Sequence, residues 1–392
     1  MTMAEAQKSN ARRYDLDWVR VIAMLMLLLF HSGRFFDFDP WHLKNVETGL
    51  AFAAYNHFFN YWGMQLFFLV AGAAVWFSLG TRKTGPFVKE RVLRILVPLL
   101  FGILLVVPPQ VYLERIYEGQ FSGSFFQFYP HFFEGTYSGS YAGSGNFSWH
   151  HLWFLAYLFT FTLLALPLFL WLRRPLGEKA VSKLADFTSK PGVIFIYALP
   201  LCLFLATLMP LFPPGEQNLV KDWAFFLYYI SLFVFGYLFC ADDRFWQAID
   251  RHKAVALILA LCASAVDAYI NIAGLKPYRG YTLGSMLFTC FWCFDTWFWI
   301  LAILGYVRKY LSFSNRFLKY SNEAVLPFYI LHQTIIIIVG YFVIQWDMNM
   351  YLKYLVVVVL SFAVIMLLYE GIRRWNVARF IFGMRLRRKQ QV

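Results

Sequence analysis

Apolar side chains run through this chain in long unbroken stretches, not in the one-faced or alternating patterns of a fold that meets water. Ten stretches stand out, at about 17–36, 57–80, 93–115, 150–172, 192–212, 223–241, 253–273, 282–305, 324–346 and 353–372. Each has roughly the 20 residues that a helix needs to cross a hydrocarbon core of about 30 Å. Short polar segments separate them, and the longest of these runs over 116–149. Only helices or closed barrels satisfy backbone polar groups inside a bilayer. The pattern therefore predicts an all-α, polytopic integral membrane protein, a single transmembrane domain over 1–392 with about ten spanning helices.

Composition agrees and narrows the class. Apolar residues make up 60%, charged residues 15% and aromatics 21% of the 392 residues, and mean hydropathy is +0.54. These values exclude a disordered chain, a disulfide scaffold and a conventional soluble enzyme. The net charge of +13 does not point to nucleic acid, because the basic residues sit in the short connections. With the N-terminal segment in the cytoplasm, cytoplasmic segments hold 27 of the 35 Lys and Arg residues and outer segments hold 7. That asymmetry places both termini in the cytoplasm. Lys8, Arg12 and Arg13 precede the first stretch as in a signal peptide, but no small-residue cleavage site follows, so a retained first span is expected. The five cysteines lie in or at the ends of apolar runs and suggest no disulfide framework.

Polar groups inside spans are costly and mark candidate chemistry. Span 1 carries Asp17, Arg20 and His31. Eleven residues separate Arg20 from His31, about three turns, which puts both on one face about 16.5 Å apart; Asp17 is placed to pair with Arg20. Arg20 either snorkels to headgroups or meets a ligand. His31 is either a packing residue or a base for a hydroxyl proton. Arg91 and Arg94 share a face at the cytoplasmic end of span 3, where they serve as ordinary positive-inside charge or as a phosphate clamp. Span 4 opens on Trp149-His150-His151-Leu152-Trp153, with one of the two histidines expected to face inward. His332 is expected near the midplane or in the inner half of span 9, and Asp295 lies mid-span in span 8. No ligand spacing calls for a metal. The outer loop interleaves Gly and Ser with aromatics around 137–145, which reads as an interfacial belt or as stacking faces for sugar rings.

Taken together, these residues resemble the acyltransferase-3 family of membrane O-acyltransferases. The resemblance is carried by Leu16-Asp17, Arg20 and His31 with ten residues between them, by Arg91-x-x-Arg94 ahead of Pro98, and by the stretch Met64–Gly72 that contains Gln65. Trp41-His42, His151-Leu152-Trp153-Phe154-Leu155 and His332 after Tyr-Ile-Leu are similar to the subgroup that succinylates osmoregulated periplasmic glucans. The resemblance implies a multi-pass enzyme of the bacterial inner membrane that moves a succinyl or acetyl group from cytoplasmic acyl-coenzyme A to a glycan hydroxyl, with no metal. It implies His31 as general base or acyl carrier, supported by Arg20 and Asp17. Arg91, Arg94 and Arg20 would hold the acyl donor, and Trp41, His42, Gln65, His151 and Trp153 would face the acceptor. His332 and Asp295 are further intramembrane polar groups without an assigned role. Lipid-facing aromatics leave room for a homodimer. The rival class is a secondary transporter or exporter of glycan or lipid, which the lack of a visible internal repeat disfavours.

Overall fold

The computed structural model describes residues 12–137, 145–212 and 217–387. Its apolar helices are numbered here α1 (Tyr14–Gly33), α2 (Leu50–Thr81), α3 (Thr84–Tyr117), α4 (His150–Leu172), α5 (Val193–Leu208), α6 (Trp223–Ala241), α7 (Asp243–Ile272), α8 (Leu283–Tyr310), α9 (Arg316–Val343) and α10 (Met350–Ile372). Among the described residues nine of these are long and apolar enough to span a bilayer. The exception, α5, opens with a 3-10 segment, Val193–Tyr197, and is about 25 Å long, just short of the hydrocarbon core. The all-α expectation holds among the described residues, which form no strand beyond the isolated bridge between Thr136 and Phe147.

Several boundaries differ from those expected. α2 begins at Leu50, α7 at Asp243 and α9 at Arg316, each several residues before its apolar run. In α7 and α9 hydropathy marks only the part of the helix that needs lipid, whereas the hydrogen-bonded coil continues into polar first turns; the extra turns of α2 from Leu50 are themselves largely apolar. Asp242, Thr282 and Asn349 close the starts of α7, α8 and α10 with side chains that accept backbone N–H groups, which satisfies donors that the helices themselves cannot pair.

The chain forms two compact units. One comprises Met1–Ala23, Asn60–Val88 and Thr160–Leu318; the other comprises Met24–Phe59, Lys89–Phe159 and Lys319–Val392. In the first unit, α2 and α6 approach through glycines. A Cβ on Gly72 would stand 1.8 Å from the Phe233 carbonyl oxygen, and one on Gly236 would stand 1.8 Å from that of Leu69. Aromatic packing surrounds this crossing, with Phe169 stacked on Tyr237 at 3.8 Å.

In the second unit, α3 is not a regular helix. Two π segments, Val92–Leu96 and Gly102–Val106, interrupt it, and prolines explain which carbonyls they leave over. Pro98 cannot donate to the Arg94 carbonyl, nor Pro108 to that of Leu104. The Tyr129 hydroxyl donates to the Leu104 carbonyl at 3.1 Å, and the Thr334 hydroxyl of α9 donates to that of Val106 at 2.7 Å. Arg94 is gripped at the turn that follows the short helix Asn376–Ile381, where its Nε donates to the Gly383 carbonyl at 2.9 Å.

The connection between α3 and α4 is more ordered than a Gly/Ser linker. Ser124 and Gln127 form a capping box for the short helix Phe125–Phe128, the 3-10 turn Tyr129–Phe133 follows, and Phe128 and Phe132 are buried. Most of the Gly/Ser run with interleaved aromatics, 138–144, lies outside the described residues.

The glycine crossing predicts that Gly236→Ala lowers the melting temperature in detergent, by a stability loss of about 1–3 kcal/mol or more from overpacking against backbone. Gly371→Ala in α10, where a Cβ meets open space, is the matched control. It is expected to be neutral or to gain up to about 1 kcal/mol.

Candidate functional site

The second unit gathers imidazoles from α1, α4, α9 and the connection after α1. His31 lies in the last turn of α1. Its ring stacks at 6.0 Å on Trp41, tilted by 25°, and meets His332 of α9 at 5.1 Å. Trp41 is backed edge-on by Phe35 at 4.8 Å. Phe35 has room because residue 340 is glycine, where a Cβ would fall 2.0 Å from the ring. The connection itself is pinned by the buried Asp37 carboxylate, which takes Arg34 at 2.5 Å, Lys44 at 2.8 Å and the Asn56 amide at 2.7 Å. Burial lowers the Lys44 ammonium below the usual lysine range, against the pull of Asp37.

His332 is fully buried. It lies 5.1 Å from His151, edge-on. Its Nδ1 is 2.6 Å from the Tyr329 carbonyl oxygen. His151 donates from Nε2 to the Ile330 carbonyl at 2.9 Å, and the Tyr329 hydroxyl donates to the His151 carbonyl.

A directional hydrogen-bond chain leads away from His151. Because Nε2 of His151 donates to a carbonyl, its Nδ1 is the acceptor, and the Gln110 amide nitrogen lies 3.3 Å from it. The same nitrogen donates to the Thr334 hydroxyl at 2.6 Å. The Gln110 oxygen accepts from the Gln333 amide at 3.0 Å, and that amide reaches Nε2 of His42 at 3.3 Å. His42 then donates from Nδ1 to Glu114. Each polar group has one role consistent with its neighbours, as a buried network requires. Glu114, fully buried, also accepts from the Tyr137 hydroxyl at 3.0 Å and pairs with Arg115 at 3.3 Å.

Both His150 and His151 are buried, although only one was expected to point inward. The first turn of α4 is 3-10, and His150 takes a left-handed backbone with φ of +42°, which turns its ring onto His42 at 4.9 Å. One ligand atom each from His42, Glu114 and His150 lie within 4.8 Å of one another, a donor set that suits a divalent metal. A cation there would have to displace the proton that His42 shares with Glu114.

The remaining expected residues are placed as follows. Arg91 and Arg94 belong to the same unit as His31, but lie far down α3; Arg94 is 16 residues, about 24 Å, from Gln110. Arg94 also pairs with Glu90 at 3.2 Å. Trp153 packs edge-on against Tyr157 at 5.2 Å. Asp17, Arg20, Gln65 and Asp295 belong to the first unit. There Arg20 lies 3.7 Å from Asp17, Gln65 donates to the Asn60 carbonyl at 3.0 Å, and Asp295 accepts from Ser264 at 3.1 Å.

Sequence reasoning missed Glu114, Gln110 and Gln333. Glu114 adjoins Arg115 near the C-terminal end of an apolar run and passes for solvated polarity. Its signal was present nonetheless: an acid inside the predicted 93–115 span.

The chain matches the family model described as an acyltransferase domain over residues 13–370. It is 23% identical to "Glucans biosynthesis protein C" of Escherichia coli strain K12 over 381 residues, 95% of this chain and 94% of that protein. The same figures hold for the protein of that name from Escherichia coli O139:H28. No solved structure is significantly similar. A family match across nearly the whole length, on a helical membrane body with an imidazole cluster in one of its units, makes this chain a member of the acyltransferase-3 family.

Proposed function

We propose that the chain is an O-acyltransferase of the bacterial inner membrane, with both ends in the cytoplasm. It would transfer a succinyl or acetyl group from cytoplasmic acyl-coenzyme A to a hydroxyl of an extracytoplasmic glycan, a periplasmic glucan being the favoured acceptor. The observation that carries this reading is the cluster of His31, His332 and His151 beside the half-buried Trp41, in a family whose members transfer acyl groups. The name of the relatives, glucans biosynthesis protein C, supports the acceptor class.

Transfer needs a base for the hydroxyl, a route for the thioester and contacts for the sugar. His31 serves as the base, or carries the acyl group covalently between donor and acceptor. The half-buried Trp41 beside His31 suits contact with a sugar ring. Arg91 and Arg94, at the far end of α3, suit the phosphates of the donor, whose narrow pantetheine arm is long enough to separate phosphates from thioester.

The test is purified protein in detergent with acetyl- or succinyl-coenzyme A, with and without an oligoglucose acceptor, followed by thiol release and by mass of the acylated sugar. Wild type is expected to form ester, and His31→Ala to lose 100-fold or more, about the contribution of a positioned base. Absence of thiol release from wild type with both donors, and of donor binding, would refute the reading. Arg91→Gln and Arg94→Gln are each expected to raise the donor KM about 10- to 100-fold with a smaller change in kcat, the loss of one charge-assisted contact made equally in ground and transition states.

The Glu114 end of the hydrogen-bond chain gives a stability prediction. Glu114→Gln leaves the buried Arg115 with one carboxylate fewer and is expected to cost about 3 kcal/mol in thermal unfolding. Glu118→Gln, which removes the more exposed partner of Arg115, is expected to cost under about 1 kcal/mol.

A further inference from the structure

We infer that His332 is the positioning residue of His31, holding it in one tautomer by accepting its Nδ1 proton in a hydrogen bond. The inference rests on the reading of His31 as the base. A carbonyl oxygen can only accept, so the contact between Nδ1 of His332 and the Tyr329 carbonyl at 2.6 Å puts the proton of the neutral ring on Nδ1. The lone pair is then on Nε2. Among the described residues that Nε2 is buried and has no hydrogen-bond partner.

The neighbours of His332 narrow the choice of donor. His151 is 5.1 Å away, but its Nδ1 faces the Gln110 amide and its Nε2 donates to the Ile330 carbonyl. The Tyr329 hydroxyl is committed to the His151 carbonyl. The remaining imidazole in ring contact is His31, at 5.1 Å, and its Nδ1 is likewise buried without a partner among the described residues. Two unsatisfied nitrogens on adjacent rings are both satisfied by one bond, from Nδ1–H of His31 to Nε2 of His332, made directly after a small ring rotation or through one water. Such bonds are often open in the unliganded enzyme and close with substrate.

The bond fixes the chemistry of His31. With its proton on Nδ1, the lone pair of His31 is on Nε2. That nitrogen takes the proton of the acceptor hydroxyl as the new O–C bond forms at the thioester carbonyl. His31 is then an imidazolium, steadied by the neutral His332. As the C–S bond breaks, the same Nε2 proton passes to the leaving sulfur, giving the ester and the free thiol. His332 exchanges no proton at any step. It takes the orienting role that a carboxylate plays in a hydrolase triad, without the desolvation that a buried carboxylate would require.

The test compares His332→Gln with His332→Asn in the full-length protein. Glutamine reaches the position of Nε2 and restores an acceptor there; asparagine reaches only the position of Nδ1. His332→Leu removes both. Expected are a kcat about 100-fold below wild type for Leu and Asn, a donor KM within twofold, and at least tenfold recovery for Gln, with melting temperatures recorded for all. If Leu fails to fold, the Gln–Asn pair decides. Asn as active as Gln, or a change in KM instead of kcat, overturns the inference. Wild-type rates in the His332 variants while His31→Ala is inactive would overturn it and leave the acyl-transfer reading standing. A wild type that consumes no acyl-coenzyme A would bring down both.

Discussion

Inside a bilayer nothing outside the protein can satisfy a polar group, and that constraint organises the second unit. Water cannot rescue a carbonyl that a proline has deprived of its donor. In α3, Pro108 releases the Leu104 carbonyl, and Tyr129 of the connection after α3 comes to meet it. The Val106 carbonyl finds Thr334 of α9. These two bonds tie a loop and a distant helix to one irregular stretch of backbone. They also bring Gln110, four residues on, against the histidine-bearing turn of α9. The site is built where the helix is least regular because that is where the protein must supply partners.

The same constraint gives the network its direction. Carbonyls and carboxylates at the ends of the chain can only accept, so every proton between Glu114 and His151 has one place to be. A run of amides and imidazoles that would rearrange freely in water becomes a single arrangement when buried. Around it, Phe35, Trp41 and Gly340 set the position of the aromatic wall on which His31 lies, so the geometry of the base depends on apolar packing as much as on hydrogen bonds.

Fold class was legible because it depends on the apolar runs, which need no tertiary context. The family was legible from Arg20, His31, Arg91 and Arg94, whose spacing is local. Helix starts such as Asp243 and Arg316 were not, since a coil carries on past the point where hydropathy falls. His150 and His151 both turned inward through a left-handed residue that no periodicity announces. Glu114 was hidden for a different reason: its value lies in His42 and Tyr137, residues 72 and 23 positions away, and no pattern within α3 contains them.

The two π segments of α3 carry a consequence for how its face is set. A π turn accommodates one residue more than an α turn, and one residue is about 100° of rotation. Between Arg91 and Gln110 the helix passes through both, so its Gln110 end is turned by roughly 200° from the heading that a regular coil would give it. The relative heading of the arginine end and the glutamine–glutamate end is thus set by two inserted residues. Removing either one would leave length and apolar character almost untouched, yet would swing Gln110 and Glu114 away from the histidines they serve.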